Sequence, residues 1–170
     1  MLHESEQANL IFICTHNSRR SHFGQVWAHF AASTNGLADK ITTFSGGTEA
    51  TAFHPNAIAA LSRAGFKIET EEGKNPVSHL IFSDDKPATT CFSKVYDDPS
   101  NPQSDFIAVM TCSDADENCP YIPGATQRFT VTYEDPKISD GTPLESATYD
   151  ERSLQIGTEM WYVMTLINEK

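Results

Sequence analysis

The stretch Cys14-Thr15-His16-Asn17-Ser18-Arg19-Arg20-Ser21 holds a cysteine, five residues, an arginine and a serine. A thiol nucleophile and a guanidinium at that separation suit attack on a tetrahedral oxyanion, the guanidinium forking two of its oxygens. The spacing alone is weak, since four Cys and five Arg would meet at it by chance about one time in eight. Its setting strengthens it. Residues 9–14 (N-L-I-F-I-C) are a short continuous apolar run, as in a strand buried on both faces. Phe23, Val26, Trp27 and Phe30 then recur at helical spacing until Thr34-Asn35-Gly36. A loop between strand and helix aims successive backbone N–H groups at one point, where the helix dipole adds positive potential. Thr15, His16, Asn17, Ser18, Arg19 and Arg20 are therefore the expected oxyanion-binding residues. Cys14, at the base of the loop, has its thiolate favoured by the same amides and by Arg20. Ser21 can donate a hydrogen bond to that thiolate, and Asn17 can brace the loop.

Two more groups follow expected strands. Cys112-Ser113-Asp114-Ala115-Asp116-Glu117-Asn118-Cys119-Pro120 comes directly after the apolar run 105–111. Its six-residue gap is not the short Cys-Cys spacing of zinc sites, and no His lies within it. Two thiols on a polar loop can instead close an internal disulfide as the loop rearranges. Asp135-Pro136 follows the alternating stretch 127–133, where an acid can face Cys14 and hand a proton to a leaving oxygen. Asp98-Pro99 repeats the dipeptide, but position after a core strand favours Asp135. His16, His22, His29, His54 and His79 show no ligand spacing, and no metal or cofactor is expected.

The elements that must position these residues alternate. A second strand is expected at 41–45, ended by Gly46-Gly47, and a second helix opens at His54-Pro55 and stops at Gly65. The last helix is expected over 151–168, with Leu154, Met160, Trp161, Met164 and Ile167 inward. This alternation implies a three-layer α/β fold, a four-stranded parallel sheet with helices on both faces and its ligand site at the carboxyl ends of the strands. Residues 75–104 break the pattern with Pro76, Pro87, Pro99 and Pro102. The extended stretches 77–82 and 89–94 around Ser83-Asp84-Asp85-Lys86-Pro87 read as an inserted β-hairpin within a single domain spanning residues 1–170.

Composition narrows the partners. In 170 residues, 12 Lys and Arg stand against 23 Asp and Glu, a net charge of −11 spread along the chain. Such a surface repels phosphate backbones, so no nucleic acid partner is expected, and no polybasic segment suggests a membrane. The apolar run 10–14, preceded by Glu4 and Glu6, lacks the length and basic flank of a signal peptide or membrane span. A cytoplasmic location is expected, where Cys14, Cys91, Cys112 and Cys119 would be mainly reduced.

Taken together, the stretch 11–21, the segment from Cys112 to Pro120 and the pair Asp135-Pro136 resemble the thioredoxin-coupled arsenate reductases, which share the fold of low-molecular-weight protein tyrosine phosphatases. The resemblance covers most of the chain except the insertion at 75–104 and an elongated segment near 137–150. It implies that Cys14 is the attacking thiolate, Arg20 the anion-binding arginine, Ser21 the hydroxyl beside it and Asp135 the general acid. It further implies that Cys112 and Cys119 are shuttle thiols. Cys14 attacks arsenic, Cys112 attacks Cys14 as arsenite leaves, Cys119 takes over the bond to Cys112, and thioredoxin or another thiol reductant restores the dithiol. The alternatives are phosphomonoester hydrolysis through a phosphocysteine, and a non-enzymatic oxyanion-binding thiol redox sensor. This chain departs from the family pattern in four places. His16 stands where Gly is usual, which asks a β-carbon to fit a crowded turn. Arg19 stands where a Cys is common, adding positive charge at the mouth. Gln25 replaces a Glu that helps hold a structural potassium ion in some reductases, so that ion is not expected. Lys137 and Ile138 replace the aromatic pair with which phosphatases grip phosphotyrosine.

Overall fold

A computed structural model describes residues 7–169; Glu4 and Glu6 lie outside this range. The strand expected before the Cys14 loop is β1 (Ala8–Cys14), and the helix after it is α1 (Arg20–Thr34). They are followed by β2 (Ile41–Gly47) and α2 (Pro55–Arg63). Three short strands come next, β3 (Lys67–Thr70), β4 (Ser78–Ile81) and β5 (Thr89–Cys91). The chain closes with β6 (Phe106–Met110), α3 (Ser113–Asn118), β7 (Ala125–Thr130) and α4 (Glu145–Asn168).

The core sheet is parallel throughout, in the order β2-β1-β6-β7. β1 lies at its centre, and its alternating side chains serve two cores. Phe12 faces α1, α2 and α4 together with Phe23, Val26, Leu61, Ile156 and Met160. Ile11 and Ile13 face the other way, packing with Phe106, Met110, Cys112 and Ala115 of α3. A strand with both faces covered must be apolar at every position, which is why β1 reads as a continuous run. Cys14 and Cys112 both leave the sheet at its carboxyl edge, after β1 and β6, within the second of these cores.

The inserted hairpin belongs to a small second sheet, in the order β3-β4-β5. β4 and β5 pair antiparallel, Ser78 opposite Cys91, as the sequence predicts, but β3 adds a third strand, Lys67 opposite Ile81. β3 is polar at Lys67, Glu69 and Thr70 with only Ile68 packed inward, so its four residues carry little periodic signal. The chain then returns along β2 through a single parallel bridge, Gly47 to Val95.

Two helices differ from expectation. α3 has no apolar repeat; its one buried residue is Ala115, and it starts because the Cys112 sulfur caps the Ala115 amide while Asp114 and Asp116 favour the positive end. α4 begins at Glu145 rather than 151, with Tyr149 its buried anchor just after the polar first turn. Its inward face also differs: Leu154 and Trp161 are exposed, whereas Tyr149, Ser153, Ile156, Gly157, Met160 and Met164 are buried. The cause is Trp27 of α1. Its indole donates to Ser153 at 3.0 Å, and a β-carbon at Gly157 would lie 2.7 Å from its ring, so α4 must carry small residues at the two positions that face the indole. Hydropathy alone assigns that face to the larger apolar residues beside it.

Candidate active site

The loop between β1 and α1 is built around outward-facing carbonyls. The Cys14 carbonyl accepts from the Thr48 amide at 3.1 Å and that of Thr15 from the Glu49 amide at 2.9 Å. The His16 carbonyl accepts from the hydroxyls of Ser93 and Thr51, at 3.0 and 3.1 Å, and that of Ser18 from the His54 amide at 3.0 Å. The amides of Thr15 to Arg19 donate to no acceptor among the described residues, leaving a cradle of free N–H groups along the loop that follows Cys14, the polarity an anion requires.

Asn17 sets the shape of that cradle. It has a φ of 45°, a conformation that asparagine tolerates better than most side chains, and is fully buried. Its side-chain oxygen accepts from the Lys94 amide at 2.9 Å, and its side-chain nitrogen donates to Ser21 Oγ at 2.8 Å. With one lone pair so occupied, the Ser21 hydroxyl is free to donate to Cys14 Sγ, 3.1 Å away. The brace expected of Asn17 and the donor expected of Ser21 are thus one chain of hydrogen bonds. His16 fits because the turn demands its left-handed residue one position later. The His16 backbone is not left-handed, and its ring lies at the surface 3.0 Å from Glu49 Oε1.

Gly47 is essential to this packing. A β-carbon there would lie 2.3 Å from the Glu49 carbonyl oxygen, 2.7 Å from that of Thr15 and 2.8 Å from the Asn17 amide. The end of β2 therefore approaches the loop more closely than any other residue type permits. The insertion contributes here as well, since Ser93 and Lys94 follow β5 and hold His16 and Asn17 from outside. Sequence reasoning missed these two residues, and Thr48, Glu49 and Thr51, because they reach the loop from distant stretches of the chain, Lys94, Thr48 and Glu49 through backbone amides and Ser93 and Thr51 through hydroxyls.

Arg20 and Asp135 meet. One terminal guanidinium nitrogen donates to the Tyr133 carbonyl at 2.9 Å and the other to Asp135 Oδ2 at 2.9 Å. They line a cavity of about 220 Å³ with Thr15, His16, Ser113 and Glu134. Arg19 does not face the cradle. Its Nε donates to the Tyr149 hydroxyl at 2.8 Å, and its guanidinium lies 3.6 Å from Asp140 and 3.9 Å from Asp135. The Tyr149 hydroxyl in turn donates to Asp140 at 2.9 Å, so Arg19 and Tyr149 tether the acid-bearing segment. Asp98 stands apart, accepting from the Ser100 amide and hydroxyl within its own turn.

The remaining thiols are ordered by depth. Cys112 is buried, with its sulfur 3.4 Å from Thr15 Oγ1 and hence one side chain from the loop. Cys119 is part-exposed at the far end of α3. All four cysteines are free thiols. Cys91 lies deep under the insertion, where burial pushes its thiol up to about 12, and it takes no part in the site.

Behind the loop, His22 is wholly enclosed. Burial and, second to it, the nearby Lys94 cation lower its pKa to about 3, so the ring is neutral at physiological pH. Gln25 fixes its tautomer. The Gln25 amide nitrogen donates to Thr89 and to the Thr90 carbonyl, which leaves its oxygen to accept from Ser45 at 2.7 Å. Ser45 Oγ, 3.2 Å from His22 Nδ1, then accepts, and Nδ1 carries the proton.

No family model matches the chain. It is 31% identical over 131 residues to an arsenate reductase 2 of Staphylococcus epidermidis, covering 77% of this chain and 80% of that protein. It is 28% identical over 147 residues to an arsenate reductase of Bacillus subtilis, covering 86% and 87% of the two chains. Among solved structures it is similar to an arsenate reductase in a phosphate-binding state, with a TM-score of 0.60 and 20% identity over 95% of this chain and 99% of that one. It is also similar to a low-molecular-weight protein tyrosine phosphatase from T. tengcongensis, with a TM-score of 0.62 and 16% identity over 94% and 99%.

Proposed function

The chain belongs to the arsenate reductase family, and from that premise we propose that it reduces arsenate to arsenite with Cys14 as nucleophile and Cys112 and Cys119 as a thiol relay. The observation that carries this reading is the graded placement of three thiols: Cys14 under the amide cradle, Cys112 against Thr15, and Cys119 part-exposed beyond it. Arsenate enters the cradle, where its charge meets the loop amides and the fork of Arg20. Its arrival draws the Arg20 fork from Asp135, freeing that carboxyl to serve the departing oxygen. The Cys14 thiolate bonds to arsenic as one arsenate hydroxyl takes a proton from the Asp135 carboxyl and leaves as water. The Cys112 thiolate then attacks Cys14 Sγ, and the sulfur–arsenic electron pair passes to arsenic, releasing arsenite and forming a Cys14–Cys112 disulfide. Cys119 attacks Cys112 and frees Cys14, and an external dithiol reduces the Cys112–Cys119 disulfide.

Thioredoxin fits the reductant's role because Cys119 is the outermost of the three thiols. The relay needs a reducing compartment, which the cytoplasm supplies. No helix among the described residues is long and apolar enough to cross a membrane.

Phosphatase activity is the second reading. Phosphomonoester hydrolysis requires only Cys14, the cradle, Arg20 and Asp135, and Arg20 and Asp135 are hydrogen-bonded beside Thr15 and His16 of the loop. After Asp135-Pro136, however, the exposed Ile138 and Lys137 offer no aromatic wall for phosphotyrosine. The two readings separate when purified protein is assayed for arsenate-dependent consumption of reducing equivalents alongside aryl phosphate hydrolysis. Arsenate turnover supports the reductase, and hydrolysis without arsenate turnover leaves the phosphatase.

A further inference from the structure

The two relay thiols stand at opposite ends of α3, Cys112 as its N-terminal cap and Cys119 as its C-terminal cap. Seven positions along an α-helix span about 10 Å, whereas disulfide-bonded cysteines have Cα atoms at most about 7 Å apart. The disulfide between them therefore cannot form while α3 is intact, and one end of the helix must give way. The Cys112 end is fixed in the core: its sulfur accepts from the Ala115 amide, lies 3.4 Å from Thr15 Oγ1 and is buried. The Cys119 end is held within the helix by the Cys119 amide on the Ala115 carbonyl at 3.0 Å and by the Asn118 side chain on the Asp114 carbonyl at 2.7 Å, and from outside mainly by one residue of the neighbouring edge strand.

That residue is Arg128 of β7. A single guanidinium nitrogen donates to the Asp116 carbonyl at 2.8 Å, to Asp116 Oδ1 at 2.5 Å and to the Cys119 carbonyl at 3.2 Å. Thr130, two residues on along the same strand face, donates to the same Asp116 oxygen at 2.7 Å. The Thr130 hydroxyl, and after it Arg128, hold the Asp116 carboxyl below the usual carboxylate range, as expected for an acceptor engaged from two sides. Nothing in the chemistry at Cys14 uses these groups, yet they converge on the turn that must unwind.

We propose that Arg128, with Asp116 and Thr130, is a latch that positions Cys119: it holds α3 closed in the dithiol state and must release the Cys119 carbonyl before Cys119 can reach Cys112. The inference rests on the relay described above. Because the latch exists only in the dithiol form, it stabilises that form and raises the reduction potential of the Cys112–Cys119 couple. Arg128 is thus a positioning residue, and its removal makes the dithiol easier to oxidise.

The test is the redox equilibrium of the full chain in a Cys14→Ser background, which keeps Cys14 out of the exchange. Protein dithiol and glutathione disulfide give protein disulfide and two glutathione thiols, both electrons and both protons passing to glutathione. The fraction of Cys112–Cys119 disulfide is read by peptide mass spectrometry across a series of glutathione ratios. Arg128→Gln is expected to shift the midpoint about tenfold toward oxidation, which is about 30 mV more negative for a two-electron couple. Asp116→Asn should shift it in the same direction, and Thr130→Val by less; these two keep the test valid if Arg128→Gln does not fold. Unchanged midpoints in the variants, with the disulfide still forming in the parent, would overturn the latch and leave the relay standing. If the parent forms no Cys112–Cys119 disulfide at any ratio, the relay falls and takes the latch with it.

Discussion

His22 makes the stability of this protein depend on pH in a calculable way. Its pKa falls from 6.5 to about 3 on folding, chiefly through burial, with the Lys94 cation adding to the effect. The sign follows from the direction of the shift. The folded pKa is depressed, so the unfolded chain takes up a proton that the native ring refuses; the associated stability is fully present above about pH 6.5 and is lost as pH falls toward 3. Between pH 7.5 and 5.0 the loss comes to about 2 kcal/mol, and the limiting slope is about 1.4 kcal/mol per pH unit. For a chain of this length that corresponds to a fall in melting temperature of roughly 4–8 °C. Other groups titrate in the same window, so the quantity to measure is a difference. Urea unfolding of the parent and of His22→Asn at pH 7.5 and 5.0 removes the shared contributions. The asparagine variant should be less stable at pH 7.5 because its smaller side chain leaves a void, yet it should lose about 2 kcal/mol less on acidification. Equal losses in the two proteins would mean that His22 is not the buried neutral group described above.

Three further predictions concern the loop and its acid. Arg20→Lys should lower kcat/KM for arsenate on the order of a hundredfold, since an ammonium lacks the rigid planar fork with which Arg20 spans Tyr133 and Asp135 and would grip two oxygens of an anion; wild-type kinetics would remove Arg20 as the clamp. Asp135→Asn should slow hydrolysis of aryl esters with poor leaving groups by about a hundredfold and of those with good ones far less, because only a poor leaving oxygen needs the proton early. Equal slowing across a series of phenols would move the acid elsewhere. Gly47→Ala should cost on the order of tenfold to a hundredfold in kcat while leaving the chain folded, because the added carbon must displace the Thr15 carbonyl and the Asn17 amide. An alanine variant with full activity would show that the loop tolerates that shift.

What the sequence made legible was whatever one element could announce alone. The continuous apolar run of β1, the Pro55 start of α2 and the extended stretches of β4 and β5 each carry a local signal, and the parallel sheet follows from the alternation of the core strands with helices. Cys14, Ser21 and Asn17 were found together because they share one loop, and the structure joins them by hydrogen bonds as that proximity suggests. Groups that act across long separations left no trace. Ser93 and Lys94 reach the loop from more than seventy residues away, and Tyr149 meets Arg19 across 130. Arg19 itself shows the difficulty: its place in the motif suggests anion binding, while its guanidinium is taken by Tyr149 and the acids beyond it. The six residues of α3 were hidden for a different reason, since a helix capped by a sulfur and burying one alanine has no periodicity to read.

In the proposed relay Cys14 passes its bond from arsenic to Cys112. Cys119→Ser isolates that transfer, because without Cys119 the relay must stop at its first disulfide. After one arsenate turnover, this variant should accumulate a peptide pair in which Cys14 and Cys112 are joined, in amounts matching the arsenite released, and none without arsenate. Arsenite release at the wild-type steady rate from the variant, or arsenate treatment that leaves both thiols free, would contradict the relay.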